Sequence, residues 1–219
     1  MPLEGLAAPS LRHNVPHSTS SAGHCPALKD QSRPDRGHCH GADSTIVAGM
    51  TVAIRLAGET DLPVLRRIEV AAGKAFAEIG MDEVAGDEGL PEEQLRAYQQ
   101  DGRAWVATDA ADHPAAYVLA DVVDGNAHIE QVSVDPDHAH QRIGQALIDQ
   151  VGRWARERGH PALTLTTFVE VAWNLPYYER LGFRRLTTAE VTPGLRTIRD
   201  HEASLGLDRW PRCCMLRAL

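Results

Sequence analysis

Six residues, Gln141, Arg142, Ile143, Gly144, Gln145 and Ala146, stand where an apolar strand gives way to an amphipathic helix. The first N–H groups of a helix have no intrahelical partner and point at whatever occupies its mouth. With the helix dipole they make an anion site suited to a pyrophosphate. Gly144 has no Cβ to keep a phosphate from the backbone, and Arg142 can add a charge-assisted contact. Eleven residues before Gln141, on the preceding strand, Glu130 is flanked by Ile129 and Val132. Partial desolvation there would raise a carboxyl's pKa and make it a better base. After the helix and one more strand, Tyr178 opens a Tyr-x-x-x-Gly-Phe element ending at Phe183. Each feature also has a plainer reading: an ordinary strand-turn-helix connection, a carboxylate paired with arginine, a core tyrosine with a satisfied hydroxyl.

Placing these groups requires alternating elements. Residues 51–56 read as a strand. Asp61 can cap a helix with Pro63 in its first turn, and Leu62, Leu65, Ile68, Ala72 and Phe76 then share one face. Residues 80–90 form an acidic, Gly-containing loop. Pro91 opens a second helix with Leu95 and Tyr98 on one side. Residues 103–108, 116–123 and 127–134 read as strands, with Gly125-Asn126 in a hairpin turn and Asp135-Pro136 ending the third. Ile143, Leu147, Val151, Trp154 and Ala155 make the stripe of the central helix. Gly152 inside it costs about 1 kcal/mol relative to Ala, which close packing against the sheet would explain. Gly159 and Pro161 stop that helix. Residues 162–168 are a buried strand. A short helix carries residues 177–181 and ends at Gly182. Residues 183–187 and 213–219 are the last strands, with a helix at 195–204 between them.

The junction at residues 141–146 resembles motif A of the GCN5-related N-acetyltransferase (GNAT) family, Gln/Arg-x-x-Gly-x-Gly/Ala. The order β-α-α-β-β-β-α-β-α-β-β is similar to that family over roughly residues 51–219. The resemblance implies an α/β (α+β mixed) fold, the acyl-CoA N-acyltransferase fold. Its central mixed sheet is mostly antiparallel and flanked by helices, and its parallel fourth and fifth strands splay apart around acetyl-CoA. Carried over residue by residue, Gln141, Arg142, Ile143, Gly144, Gln145 and Ala146 would hold the pyrophosphate. The main chain of Val132, Ser133 and Val134 would bond the pantetheine arm, with one N–H facing the thioester oxygen. Glu130 takes the place of a general base, and Tyr178 that of the acid that protonates the leaving thiolate. The family often has Asn seven residues before this tyrosine and Ala four before it; here those positions are Val171 and Asn174. Asn174 is assigned to the cofactor.

The activity so implied is transfer of an acetyl group from acetyl-CoA, as co-substrate and without a metal, to a primary amine of a small molecule. Alternatives are a protein N-terminal or lysine acetyltransferase and a non-catalytic acyl-CoA sensor; Glu130 and Tyr178 argue against the sensor. The family shapes its acceptor pocket from two segments. One holds Asp82, Glu83, Asp87 and Glu88, whose charges would suit a cationic amine or simply be solvated. The other holds Arg196, Arg199, His201 and Glu202. Trp173 could wall a small pocket, and His138 and His140 fall at the turn by the cofactor mouth.

Composition bounds the rest. A chain of 219 residues, 43% hydrophobic, suggests one packed domain. A net charge of -8 argues against a broad basic nucleic-acid surface. No apolar run is long enough for a membrane span. Lysine occurs only as Lys29 and Lys74; arginine and alanine dominate, as in GC-rich bacterial genomes. Cys25, Cys39, Cys213 and Cys214 are too few and scattered for a disulfide framework, so a cytoplasmic setting is expected. The expected partner is a small-molecule amine, with a homodimer left open and neither nucleic acid nor membrane involved. Residues 1–49 are rich in Pro, Ser, Gly and His, without periodicity, and read as a disordered extension or as sequence upstream of a true start at Met50. The acetyltransferase domain would then be residues 50–219. His24, Cys25, His38, Cys39 and His40 match no familiar zinc spacing. Deleting residues 1–49 is expected to leave folding and acetyl-CoA binding intact, as read from melting curves with and without acetyl-CoA. Loss of folding, or of a metal that activity needs, would reverse this reading.

Overall fold

The structure is a computed structural model that describes residues 43–47 and 50–219, with side chains from Val52 onward. Its strands are β1 (Asp43–Val47), β2 (Met50–Leu56), β3 (Ala104–Thr108), β4 (Pro114–Val123), β5 (Asn126–Val134), β6 (Ala162–Phe168), β7 (Arg184–Arg185) and β8 (Arg212–Ala218). They form one sheet in the order β1-β2-β3-β4-β5-β6-β8-β7. Every neighbouring pair is antiparallel except β5 and β6, which are parallel. These two are the fourth and fifth strands counted from Met50. β1 lies inside the segment expected to be without structure, and pairs with β2 from Asp43↔Ile54 to Val47↔Met50. The rest of that segment lies outside the described residues.

The helices are α1 (Leu62–Gly73), α2 (Asp82–Ala85), α3 (Glu92–Gln100), α4 (Ile143–Glu157), α5 (Leu175–Arg180) and α6 (Pro193–Ser204). Leu62, Leu65 and Ile68 of α1 and Leu95 of α3 pack on Tyr117 and Leu119 on one face of the sheet. Ile143, Leu147, Ile148 and Val151 of α4 pack on Val118, Ala120, Ile129 and Val132 on the other. No helix among the described residues is long and apolar enough to cross a membrane.

Local details differ from the sequence expectation. The hairpin loop is Asp124-Gly125 rather than Gly125-Asn126, because Val123 pairs with Asn126. Both loop residues have positive φ, 49° and 81°, as a type I′ turn needs to match strand twist. Asp61 makes no side-chain cap on α1. Its carboxylate instead accepts the Gly58 N–H at 2.7 Å and pairs with Arg55 at 2.6 Å. A Cβ on Gly152 would stand 3.3 Å from Arg217 Nη2 and 3.5 Å from Leu219 Cδ2, so the close approach is to the chain's last strand.

α6 is anchored by charge. Glu202 and the Arg212 side chain are only 2% and 3% exposed, and they pair at 2.7 Å. Thr166 and Arg199 also bond Glu202. Burial alone would push Glu202 up, but Arg212, Thr166 and Arg199 together hold it below the usual carboxylate range. Glu202→Gln strips Arg212 of its charge partner and is expected to cost about 3–5 kcal/mol in urea unfolding at neutral pH. The sign with pH follows from the lowered pKa. The stabilisation is present above the unfolded value of about 4.3 and is lost as pH falls toward Glu202's own value. The gap between the two proteins should therefore close in acid.

Candidate active site

β5 and β6 pair only at Ala127↔Leu163 and His128↔Thr164. Beyond that rung β5 stays with β4, out to Val134, and β6 stays with β8, out to Phe168. A gap opens between them. The β5–β4 register also slips: Ala120 faces Ile129 and Leu119 faces Gln131, leaving Glu130 as the extra residue of a bulge. Bulges bend a strand and re-aim its side chains. Ile129, Val132 and Val134 join the core under α4. Ser133 pairs with Tyr117 across the ladder, toward α1.

At the end of β5, Asp135 accepts the Asp137 N–H at 3.0 Å and starts a tight turn. His140 and Arg142 then take positive φ, 63° and 55°. Non-glycine residues in this conformation carry a strain typical of functional sites. Backbone of alternating hand turns successive N–H groups inward, as in an anion nest. The Ala146 N–H donates to the Arg142 carbonyl at 3.1 Å, so the N–H groups of residues 143–145 are the orphan donors of α4. Val134, His138, His140, residues 141–145 and Tyr177 line one cleft there. Gln141 Oε1 and His138 Nδ1 are buried and unpartnered. Gln141, Arg142, Ile143, Gly144 and Gln145 are thus brought together at the mouth; Ala146 packs against the core instead. Tyr177 was not read as a site residue. Consecutive helical residues point about 100° apart, which lets Tyr177 face the cleft while Tyr178 faces inward.

Across the gap, Tyr178 is 4% exposed and packs edge-on against Phe183 and Tyr177. Burial and Tyr177 push its phenol well up, against the opposing charge of Arg212; it stays protonated at neutral pH. Asn174 precedes α5 and is fully buried, with neither amide atom bonded; Thr167 Oγ1 is likewise buried and unpartnered. Thr167 shares its face of β6 with Leu163 and Leu165, which face α4. Trp173 does not wall an open pocket. It is buried against Phe76 at 5.7 Å between ring centres, beside Phe168, Met81 and Val84.

Two of the four acids in the acidic loop pair with arginines. Glu83 pairs with Arg209 and Glu88 with Arg66, while Asp87 accepts the Gly89 N–H at 2.8 Å. Glu130 is half-buried, and its charge acts on Tyr98 and Glu69. Glu69 escaped the sequence reading. Its signal was a carboxylate on the apolar face, one turn from Leu65 and Ala72. Among the described residues no three His, Cys, Asp or Glu lie so as to hold a metal; Cys25 and Cys39 lie outside them. Cys213 and Cys214 face opposite sides of β8. Burial raises both thiols, Cys214 to about 11.

The site fits acetyl-CoA on three structural grounds. The strained turn and helix mouth offer N–H donors to a pyrophosphate. The free edge of β5 offers main-chain groups to an amide-bearing arm. Thr167 and Asn174 bring buried polar atoms without a protein partner to the end of β6 and the start of α5.

Residues 73–183 match the profile of the acetyltransferase (GNAT) family. The [ribosomal protein bS18]-alanine N-acetyltransferase of Escherichia coli K12 is 33% identical over 73 residues, 33% of this chain and 49% of that protein. An uncharacterized N-acetyltransferase of Methanocaldococcus jannaschii is 39% identical over 57 residues, 26% of this chain and 25% of that one. The aligned stretch thus spans a quarter to a half of these curated relatives. The crystal structure of the ribosomal-protein-S18-alanine N-acetyltransferase from Escherichia coli superposes with a TM-score of 0.54 at 24% identity, over 76% of this chain and 93% of that one. The PaiA N-acetyltransferase of Thermoplasma acidophilum, solved with coenzyme A, gives 0.56 at 15% identity, over 78% and 100%. At these identities the likeness speaks for the fold.

Thr167→Val removes a buried hydroxyl that has no partner. Such groups cost about 1–3 kcal/mol, so ligand-free protein should gain about 1 kcal/mol in urea unfolding. The melting-temperature rise on adding acetyl-CoA should shrink at the same time. A variant less stable than the parent would mean that the hydroxyl is satisfied.

Proposed function

The chain belongs to the GNAT acetyltransferase family of enzymes, and on that premise we propose that it moves an acetyl group from acetyl-CoA to a primary amine of a small molecule. One observation carries this reading: β5 and β6 are unpaired beyond His128↔Thr164, and the cleft at the N-terminal end of α4 is lined by Val134 of β5, residues 141–145 and Tyr177. In this reading Gln141, Arg142, Ile143, Gly144 and Gln145 hold the pyrophosphate, and Ala146 supports the first turn. The main chain of Val132, Ser133 and Val134 holds the pantetheine arm, one N–H facing the thioester oxygen as charge builds there. Asn174 lies beside the cofactor near the sulfur. Glu130 takes a proton from the acceptor ammonium. The freed nitrogen attacks the thioester carbon, the C–S bond breaks, Tyr178 gives its proton to the leaving thiolate, and the second proton that the nitrogen sheds as the amide forms returns to Tyr178. Much of the rate comes from holding both substrates in one cleft.

A protein N-terminus is the second reading, and the 33% identity to an enzyme named for ribosomal protein bS18 favours it. Against it, Met81 and Val84 seat α2 and its flanking loop on the Trp173 cluster, which narrows the acceptor side. Free thiol released from acetyl-CoA, followed with a thiol reagent against panels of small amines and peptides, separates the two.

Gly144→Glu should abolish the acetyl-CoA-induced rise in melting temperature, since only ligand bound to the folded state gives one. Tyr178→Phe should lower kcat and leave acetyl-CoA affinity nearly unchanged. Glu130→Gln should lower kcat/KM at neutral pH and recover in part at high pH, where more amine is already neutral. Losses of about 10²–10⁴-fold are expected. Full activity in both variants across the pH range would remove these residues from the chemistry.

A further inference from the structure

Glu69 sits on the apolar face of α1 among Leu65, Ile68 and Ala72 and is 2% exposed. Its Oε2 accepts the Tyr117 hydroxyl at 2.7 Å and the Leu90 N–H at 3.1 Å, while its Oε1 is buried and unpartnered. Gly89 closes over it with φ +74°; a Cβ there would stand 3.0 Å from Oε2. Two neutral donors do not balance a carboxylate out of water. The hydrogen bonds continue toward the gap: Ser133 bonds Tyr117, and the Gln131 amide donates to Ser133 at 2.8 Å. Glu130 and Gln131 both stand at the bulge, between Ile129 and Val132, which face α4.

Resting on the acetyl-transfer reading, we propose that Glu69 is a positioning residue that forms a coupled carboxyl pair with Glu130 on the α1 side of the gap. Glu130 touches the acceptor nitrogen, Glu69 stands behind it, and the pair selects amines that arrive as primary ammonium ions. Burial pushes Glu69 up to about 7; Asp87 and Glu130 add to this, and Leu90 and Tyr117 oppose it. The groups around the pair are Asp87 and the Glu88–Arg66 ion pair before α3, Tyr117 on β4, and Tyr98 with its partner Asp121 near Glu130. Two neighbouring carboxyls resist ionising together. An arriving ammonium lets both carry charge. One N–H bond then breaks as Glu130 takes the proton, and the nitrogen keeps the electron pair that attacks the thioester. Glu69 changes no bond; its charge strengthens Glu130's hold on that proton.

The test uses carboxyl-carbon NMR on the acetyl-CoA-saturated protein. The wild type should show a carboxyl titrating near pH 7. That resonance should vanish in Glu69→Gln and move to lower pH in Glu130→Gln. A Glu69 resonance in the ordinary carboxylate range, or one indifferent to Glu130→Gln, overturns the pair. Kinetics use whichever of 1,4-diaminobutane or an alanine-initiated hexapeptide the wild type acetylates. Glu69→Gln should raise the amine KM roughly tenfold, the size of one charge-assisted contact. It should leave the acetyl-CoA KM alone and remove the rise in kcat/KM centred near pH 7, and Glu69→Asp should restore part of each. An unchanged amine KM and pH profile overturn the proposal. Folding is controlled by sign. A raised folded pKa gives stability that is lost as pH rises through about 7, so Glu69→Gln should melt at or above wild type at pH 8. If neither amine is acetylated, the acetyl-transfer reading fails by itself, and the NMR titration still judges the pair.

Discussion

Everything at the site depends on two parallel strands that pair at two positions and then part. The His128 ring and the Thr164 hydroxyl meet at 3.0 Å, across the last paired positions of β5 and β6. Each strand is held elsewhere along its length, β5 by β4 and β6 by β8. Neither can drift to close the gap without breaking a full antiparallel ladder. The freed backbone groups of β5 must therefore be met by water or by a ligand. A sheet that closed would be more stable and would have no place for a cofactor.

Some of this was legible in the chain and some was not. Helix faces were, because 3.6-residue periodicity survives whatever the helix packs on: Leu147 and Val151 point inward as their spacing requires. The motif at Gln141 was also legible, since a glycine at a strand-to-helix junction restricts what the junction can be. The strain at His140 and Arg142 was hidden: histidine enters positive φ more readily than most residues but still uncommonly, and arginine has no preference for it. The bulge at Glu130 was hidden for a related reason. A strand's alternation gives two consecutive residues opposite faces, and Ile129 and Val132 break that parity only once the β4 register is known. The ion pair of Glu202 with Arg212 joins α6 to the first residue of β8, ten residues on, and neither helical nor strand periodicity records it.

Glu69 and Glu202 show how environment divides one residue type between two tasks. Both are 2% exposed. Glu202 has Arg212 and Arg199 beside it and stays ionised, so its charge is structural. Glu69 has a phenol, an amide and two like charges around it, and is driven toward neutrality. Stability alone would place glutamine or leucine at 69, since the apolar face of α1 gains nothing from an acid there. Arginines are abundant in this chain, yet they neutralise the exposed loop acids Glu83 and Glu88 rather than Glu69. A buried acid held near the point where it changes charge, one hydrogen-bonded strand away from a re-aimed glutamate, is costly to keep as packing. It is useful where a cationic nitrogen must be drawn in and then stripped of a proton.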